Sequence, residues 1–167
     1  DNYASSIWTD VIAKIEEIVG LPYKGNEKAM RIIADHIRSA AFVSADPAGI
    51  KPSNTDQGYI LRILIRRAIR YAKKLNIDIN SNWEEEIAKL ILDKYEKYYL
   101  ELKQNRNVVL EVLKNEKNKF NRTLEKGLKE FEKITQNASE ISGEVAFRLY
   151  DTYGFPIELT VELATEK

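Results

Sequence analysis

At 167 residues the chain can bury a proper core as one domain or two small ones. Lys plus Arg equals Asp plus Glu at 26 each, so the net charge is zero and any pull on a polyanion must come from local asymmetry. With no cysteine and a single histidine it has no disulfide framework, no thiolate metal site and no multi-histidine zinc centre. No apolar run approaches the ~18 residues that cross a bilayer, and the chain reads as soluble and cytoplasmic, with no membrane partner.

Residues 1–20 begin polar and then place Ile7, Trp8, Val11, Ile12, Ile15, Ile18 and Val19 at helical spacing. Ser5, Ser6 or Thr9 can cap this helix, and Gly20 followed by Pro22 ends it. The start without methionine and the end at Lys167, inside an apparent helix, suggest an excised piece of a longer protein. Residues 27–43 form a second helix, with Ala29, Ile32, Ile33, His36, Ile37, Ala40 and Ala41 inward. His36 reads as a satisfied core histidine, since no nucleophile or second histidine pairs with it. Residues 45–54, with Asp46-Pro47 and Gly49, form a loop.

The chain is organised around residues 51–74. Pro52, Ser53 and Asn54 favour a turn, and the side chain of Ser53, Asn54 or Asp56 can cap the helix that follows. From Tyr59 there is no breaker. Ile60, Leu64, Ala68 and Ala72 recur every four residues, flanked by Leu61, Ile65, Ile69 and Leu75, as one apolar face about four turns long. Arg62, Arg66, Arg70 and Lys74 form a second stripe that Arg67 and Lys73 widen, with no acid among them. Such a helix suits docking on a phosphate backbone. Equally, cations late in a helix complement its dipole, and a charged face is usually a solvated one.

Residues 76–82 are a polar connection. Residues 84–134 read as two long helices broken near Asn105-Arg106-Asn107, with one stripe of Ile87, Leu90, Ile91, Tyr95, Tyr98 and Leu102. The second stripe is Val109, Val112, Leu113, Phe120, Leu124, Leu128 and Phe131. A polar linker over 135–142 precedes a short helix, 143–153, which Gly154 stops; Pro156 starts the next. Asp151 falls in the last turn, where the dipole disfavours a negative charge, so it wants a partner; an arginine of the basic helix serves as well as a ligand. The expectation is an all-α fold, a helical bundle with a long helical arm or hairpin. It divides into 1–80, with the basic helix, the arm 81–136, and a C-terminal helical segment 137–167.

The run Ala34-Asp35-His36-Ile37-Arg38, Pro52-Ser53-Asn54, Gly58-Tyr59, Leu61-Arg62 and Ile65-Arg66-Arg67-Ala68 resembles the alanyl-tRNA synthetase family. So does the block Gly143-Glu144-Val145-Ala146-Phe147-Arg148-Leu149-Tyr150-Asp151-Thr152-Tyr153-Gly154-Phe155-Pro156. A weaker pattern, Thr123-Leu124-Glu125-Lys126-Gly127, lies between them in the family's order. The match covers nearly the whole chain and corresponds to the helical tRNA-recognition region that follows the catalytic motifs.

The resemblance implies an alanine–tRNA ligase segment that binds the acceptor stem of tRNA(Ala) and is inactive alone, with no catalytic and no metal-ligating residues. ATP and magnesium would belong to the full-length enzyme, with a catalytic module upstream and an editing domain downstream as partners in the same polypeptide. The family reads a G·U wobble pair, whose guanine amino group lacks its usual partner in the wide, shallow minor groove of A-form RNA. A carboxylate accepts from that amino group, and an asparagine amide both donates and accepts. The matching positions are Asp151 and Asn54. The resemblance gives Arg62, Arg66, Arg67, Arg70, Lys73 and Lys74 to the RNA backbone. The family often has glutamate and arginine at Thr55 and Gln57, and a second arginine at Ile63, so this chain lacks two of the positive charges that the family carries near the turn. The alternative is a non-catalytic helical scaffold or protein-interaction module. A free-standing enzyme lacks a nucleophile, a metal cluster or a phosphate-cradling glycine loop.

Overall fold

The computed structural model describes every residue except Asp1, Asn137 and Ser139. A 3-10 turn at Asn2–Ala4 precedes α1 (Thr9–Val19), α2 (Glu27–Ala45), α3 (Asp56–Lys74), α4 (Trp83–Tyr95), α5 (Leu100–Gln104), α6 (Arg106–Thr135), α7 (Gly143–Tyr153) and α8 (Ile157–Thr165). No strand occurs among the described residues, and the all-α expectation is met. None of the described helices is long and apolar enough to cross a membrane. The chain divides into two compact units, Asp1–Lys117 and Asn118–Lys167, and α6 supplies residues to both. The expected linker 135–142 contains Asn137 and Ser139, which lie outside the described residues.

In the first unit α2 is the central element, packed against α1, α3, α4 and α5. Its Met30, Ile33, Ala34, Ile37, Ala40, Ala41 and Ala45 are buried, and α3 answers with buried Leu61, Ile65, Ala68, Ile69 and Ala72. Short alanine side chains on both helices let the two axes come close. Ile60, expected on this face, is instead exposed. The reason is geometric: a row of every fourth residue drifts about 40° per step on a 3.6-residue helix, so a row that ends in the core at Ala72 begins outside it. α1 contributes Val11, Ile12 and Ile15, and Trp8, which precedes it, is buried with them. Gly20 closes it in the left-handed region (φ 70°), its N–H donating to the Glu16 carbonyl oxygen. The first turn is latched by Lys94 of α4, whose Nζ donates to the Ser6 carbonyl oxygen at 2.6 Å and to both Asp10 carboxylate oxygens at 2.8 and 2.9 Å.

The region expected as two long helices is three. α4 stops at Tyr95, and a turn places Tyr95 and Tyr99 edge-on to Phe42 of α2, at ring distances of 5.6 and 5.1 Å. Tyr98, the residue that the helical repeat would bury, is left exposed. Packing on Phe42 overrides the continuous pattern. The second break does fall at Asn105, whose Nδ2 donates to the Ala45 carbonyl oxygen at 2.9 Å.

The second unit is built on aromatic packing against a glycine. Phe120 of α6 and Phe155 are both fully buried and meet edge to face at 5.6 Å. A Cβ on Gly127 would lie 2.7 Å from the Phe155 ring, so only glycine lets the ring seat there. Thr123 Oγ1 donates to the Tyr153 carbonyl oxygen at 2.7 Å. Gly154 (φ 69°) ends α7 as expected, and the Phe155 N–H donates to the Leu149 carbonyl oxygen, which turns the ring inward. The blocks 123–127 and 153–155 are therefore two halves of one packing arrangement.

Candidate nucleic-acid interface

The turn before α3 is tight. The Ser53 N–H donates to the Gly58 carbonyl oxygen at 3.0 Å, and Ser53 Oγ donates to the Thr55 carbonyl oxygen at 2.9 Å. A Cβ on Gly58 would fall onto Ser53 Oγ and within 2.5 Å of the Lys51 carbonyl oxygen, so the turn closes only over glycine. The expected side-chain cap from Ser53, Asn54 or Asp56 is not formed. Thr55 is the N-cap, without a side-chain hydrogen bond, and Asp56 sits in the left-handed region at φ 51°, which short polar residues tolerate. Relieved of capping, Asn54 is exposed, and its Oδ1 accepts a hydrogen bond from Arg62 Nη1, two turns along α3.

The six cations of α3 are not one solvated stripe. Arg66 and Arg70 are buried, at 7% and 6% exposure. The acid missing from α3 arrives from α6. Glu116 is 3% exposed, and its Oε1 lies 2.6 Å from Arg66 Nη2, 2.7 Å from Arg66 Nε and 3.5 Å from Arg62 Nε. A second buried pair, Lys117 with Glu84 at 2.7 Å, adjoins it in sequence. The Arg70 guanidinium lies 4.9 Å from the Tyr71 ring centre. Arg67 is half-buried, with Nη1 3.0 Å from His36 Nε2. Since an arginine only donates, His36 Nε2 accepts, Nδ1 carries the hydrogen, and it donates to Asp35 Oδ2 at 3.2 Å. One neutral tautomer satisfies both sides, the core histidine that the sequence implies. Lys73 is half-buried and Lys74 exposed.

In the second unit Asp151 is exposed in the last turn of α7, and no cation of its own unit pairs with it among the described residues. Four residues earlier, on the same helical face, Phe147 is 64% exposed. Both line an open groove of about 390 Å³ with Glu144, Val145, Arg148 and Thr152. Arg148 is held by Glu130 at 2.5 Å. Phe147 escapes the sequence reading, although it stands off the apolar stripe Val145, Ala146, Leu149 and Tyr150, which was the available signal. No group of three histidine, aspartate or glutamate side chains able to hold a metal occurs among the described residues.

The family model for class II tRNA synthetases (A) matches residues 1–167. The chain belongs to that family. The chain is 45% identical over 169 residues to the alanine–tRNA ligase of Borreliella afzelii, covering 98% of the chain and 28% of that ligase. It is 40% identical to the alanine–tRNA ligase of Treponema pallidum over 172 residues, again 28% of its length. It is also 40% identical to that of Thermotoga maritima over 169 residues, 19% of its length. The chain thus spans 19–28% of the length of these relatives.

Proposed function

We propose that the chain is the tRNA-recognition segment of an alanine–tRNA ligase, which reads the acceptor stem of tRNA(Ala) at a G·U wobble pair. In this reading the full-length enzyme, a cytoplasmic protein, attaches alanine to tRNA at the expense of ATP with magnesium, through catalytic and editing domains of the same polypeptide. Residues 1–80 and 137–167 each carry RNA contacts of their own, and 81–136 form the intervening arm. The observation that carries the proposal is that Asn54 and Asp151 both project, exposed, from backbone that neighbouring glycines lock in place. Asp151 offers carboxylate oxygens to the guanine amino group, and Asn54 offers its amide to the same edge. Phosphate contacts fall to Arg67, Lys73 and Lys74, whereas buried Arg66 braces α3 against α6 and buried Arg70 lies against the Tyr71 ring of its own helix.

A protein-interaction reading is favoured by one feature, the exposed Tyr98 between α4 and α5 with exposed Leu100 at the start of α5. The two separate on binding of the chain to a tRNA(Ala) acceptor minihelix, with the wobble pair intact or replaced by G·C, across a salt series. A preference for G·U of about 1–3 kcal/mol with a steep salt slope is expected. Salt-dependent binding without preference would leave only backbone docking. No binding by the folded chain would favour the protein-interaction reading.

A further inference from the structure

We infer that Arg62, anchored from below by Glu116, is a positioning residue that fixes the Asn54 amide as an outward-facing hydrogen-bond donor. The inference rests on the acceptor-stem reading above and changes what Arg62 does within it. Glu116 sits where the α6 repeat of Val109, Val112, Leu113, Phe120 and Leu124 calls for an apolar residue. Its Oε1 is shared. Arg66 takes it with two N–H groups, and Arg62 Nε lies 3.5 Å away, at ion-pair rather than hydrogen-bond distance. The Arg62 side chain is only 15% exposed. A guanidinium is planar, with its donors in a fixed fork, so holding the Nε edge toward Glu116 aims Nη1 along one line. That line ends on Asn54 Oδ1.

Two consequences follow from the chemistry. A cation so far withdrawn from solvent is a poor phosphate clamp, because phosphate contacts draw on exposed charge. With Oδ1 engaged, the amide plane is set, and Asn54 Nδ2, which has no acceptor among the described residues, is presented to the ligand. Asn54 then requires an acceptor on the minor-groove edge, such as uracil O2 or a ribose 2′-hydroxyl. Asp151, acceptor only, takes the guanine amino group. The two candidate readers carry complementary halves of the hydrogen-bond pattern.

The test is minihelix binding, G·U against G·C, for the parent chain and for Asn54→Ala, Arg62→Ala, Arg62→Lys, Glu116→Gln and the Asn54→Ala/Arg62→Ala double variant. Circular dichroism melts would establish that each is folded. Arg62→Ala is expected to abolish the G·U preference while changing G·C affinity by less than about threefold, and the double variant to fall no further than Asn54→Ala alone. Arg62→Lys restores the charge without the fork and is expected not to restore the preference. In the free chain, the Asn54 side-chain amide resonances should move in Arg62→Ala and Glu116→Gln. Equal weakening of both RNAs by Arg62→Ala, a salt slope lower by about 1 and rescue by Arg62→Lys would make Arg62 a phosphate contact and overturn the inference. So would unmoved Asn54 resonances. A parent chain without preference overturns the acceptor-stem reading itself, a failure seen before any variant is made. If Glu116→Gln does not fold, Arg62→Ala leaves the Arg66–Glu116 pair intact and decides the matter.

Discussion

Asn54 carries a side-chain amide whose orientation depends on charged neighbours, whereas Asp151 stands on a helix end held by backbone geometry and apolar bulk. Behind Asn54 lie Arg62, Glu116 and Arg66, a chain of ionised groups around one buried carboxylate oxygen. Behind Asp151 lie the left-handed Gly154, the buried Phe155 ring and the Gly127 surface that receives it. The first arrangement is directional and sensitive to any change of charge or fork geometry. The second is nearly blind to charge and sensitive to volume. One family motif thus encodes electrostatic placement and the other steric placement, although in the sequence both look like runs of matching letters.

The largest effects should come from removing the centre of each arrangement. Arg66→Met leaves Glu116 buried without its main partner and is expected to cost about 3–5 kcal/mol, of which a further Glu116→Leu recovers most. Phe155→Ala should cost about 3–5 kcal/mol as well, with no charge substitution able to restore it. Denaturant unfolding measures both losses, and amide exchange should place the second within 118–167. If the double variant recovers nothing, the contrast between the regions is wrong.

Gly58→Ala comes next. The added methyl group meets Ser53 Oγ and the Lys51 carbonyl oxygen, and the turn should lose about 1–3 kcal/mol together with the G·U preference. Asp151→Asn is expected to separate function from stability. An exposed charge that the α7 dipole disfavours is lost, so stability should change by no more than about 0.5–1 kcal/mol, and upward, while the preference for G·U disappears.

The smallest effect concerns the start of α2. Backbone N–H groups of Gly25 and Glu27 hold the Glu27 carboxyl below its usual range. A folded-state value lowered relative to the unfolded chain gives stability that is present above the ordinary carboxylate range and lost as pH falls through the folded value. Glu27→Gln should flatten a shallow acid limb in thermal melts and leave neutral pH almost untouched.

Much of this was legible in the letters. The stops at Gly20 and Gly154 follow from glycine's access to positive φ, and the α6 stripe from its repeat, because both depend only on neighbours along the chain. The burial of Arg66 and Arg70 was not legible within α3, because the acid that accounts for Arg66 lies 50 residues away. It had left a trace. Glu116 and Lys117 interrupt the inward face of α6, and a charge at a core position implies a buried partner. The apolar members of the stripe alone do not reveal that gap. Ile60 and Tyr98 failed for the same kind of reason, a helical row followed past the point where neighbouring elements decide the packing. The candidate readers are different again. Local pattern marks Asn54 only as a turn or capping residue and Asp151 only as a charge in want of a partner, and the family resemblance alone points them to a base pair.

Lys94, which ties the first turn to α4, has a consequence for reactivity. An ammonium whose protons are committed to the Ser6 carbonyl oxygen and the Asp10 carboxylate must give up those bonds before its nitrogen lone pair can attack an acylating reagent. Lys97, three residues on and exposed, carries no such commitment to a carboxylate among the described residues. Amine acylation should therefore mark Lys97 quickly and Lys94 slowly. The ratio of the two would serve as a chemical gauge of whether the amino-terminal turn is seated.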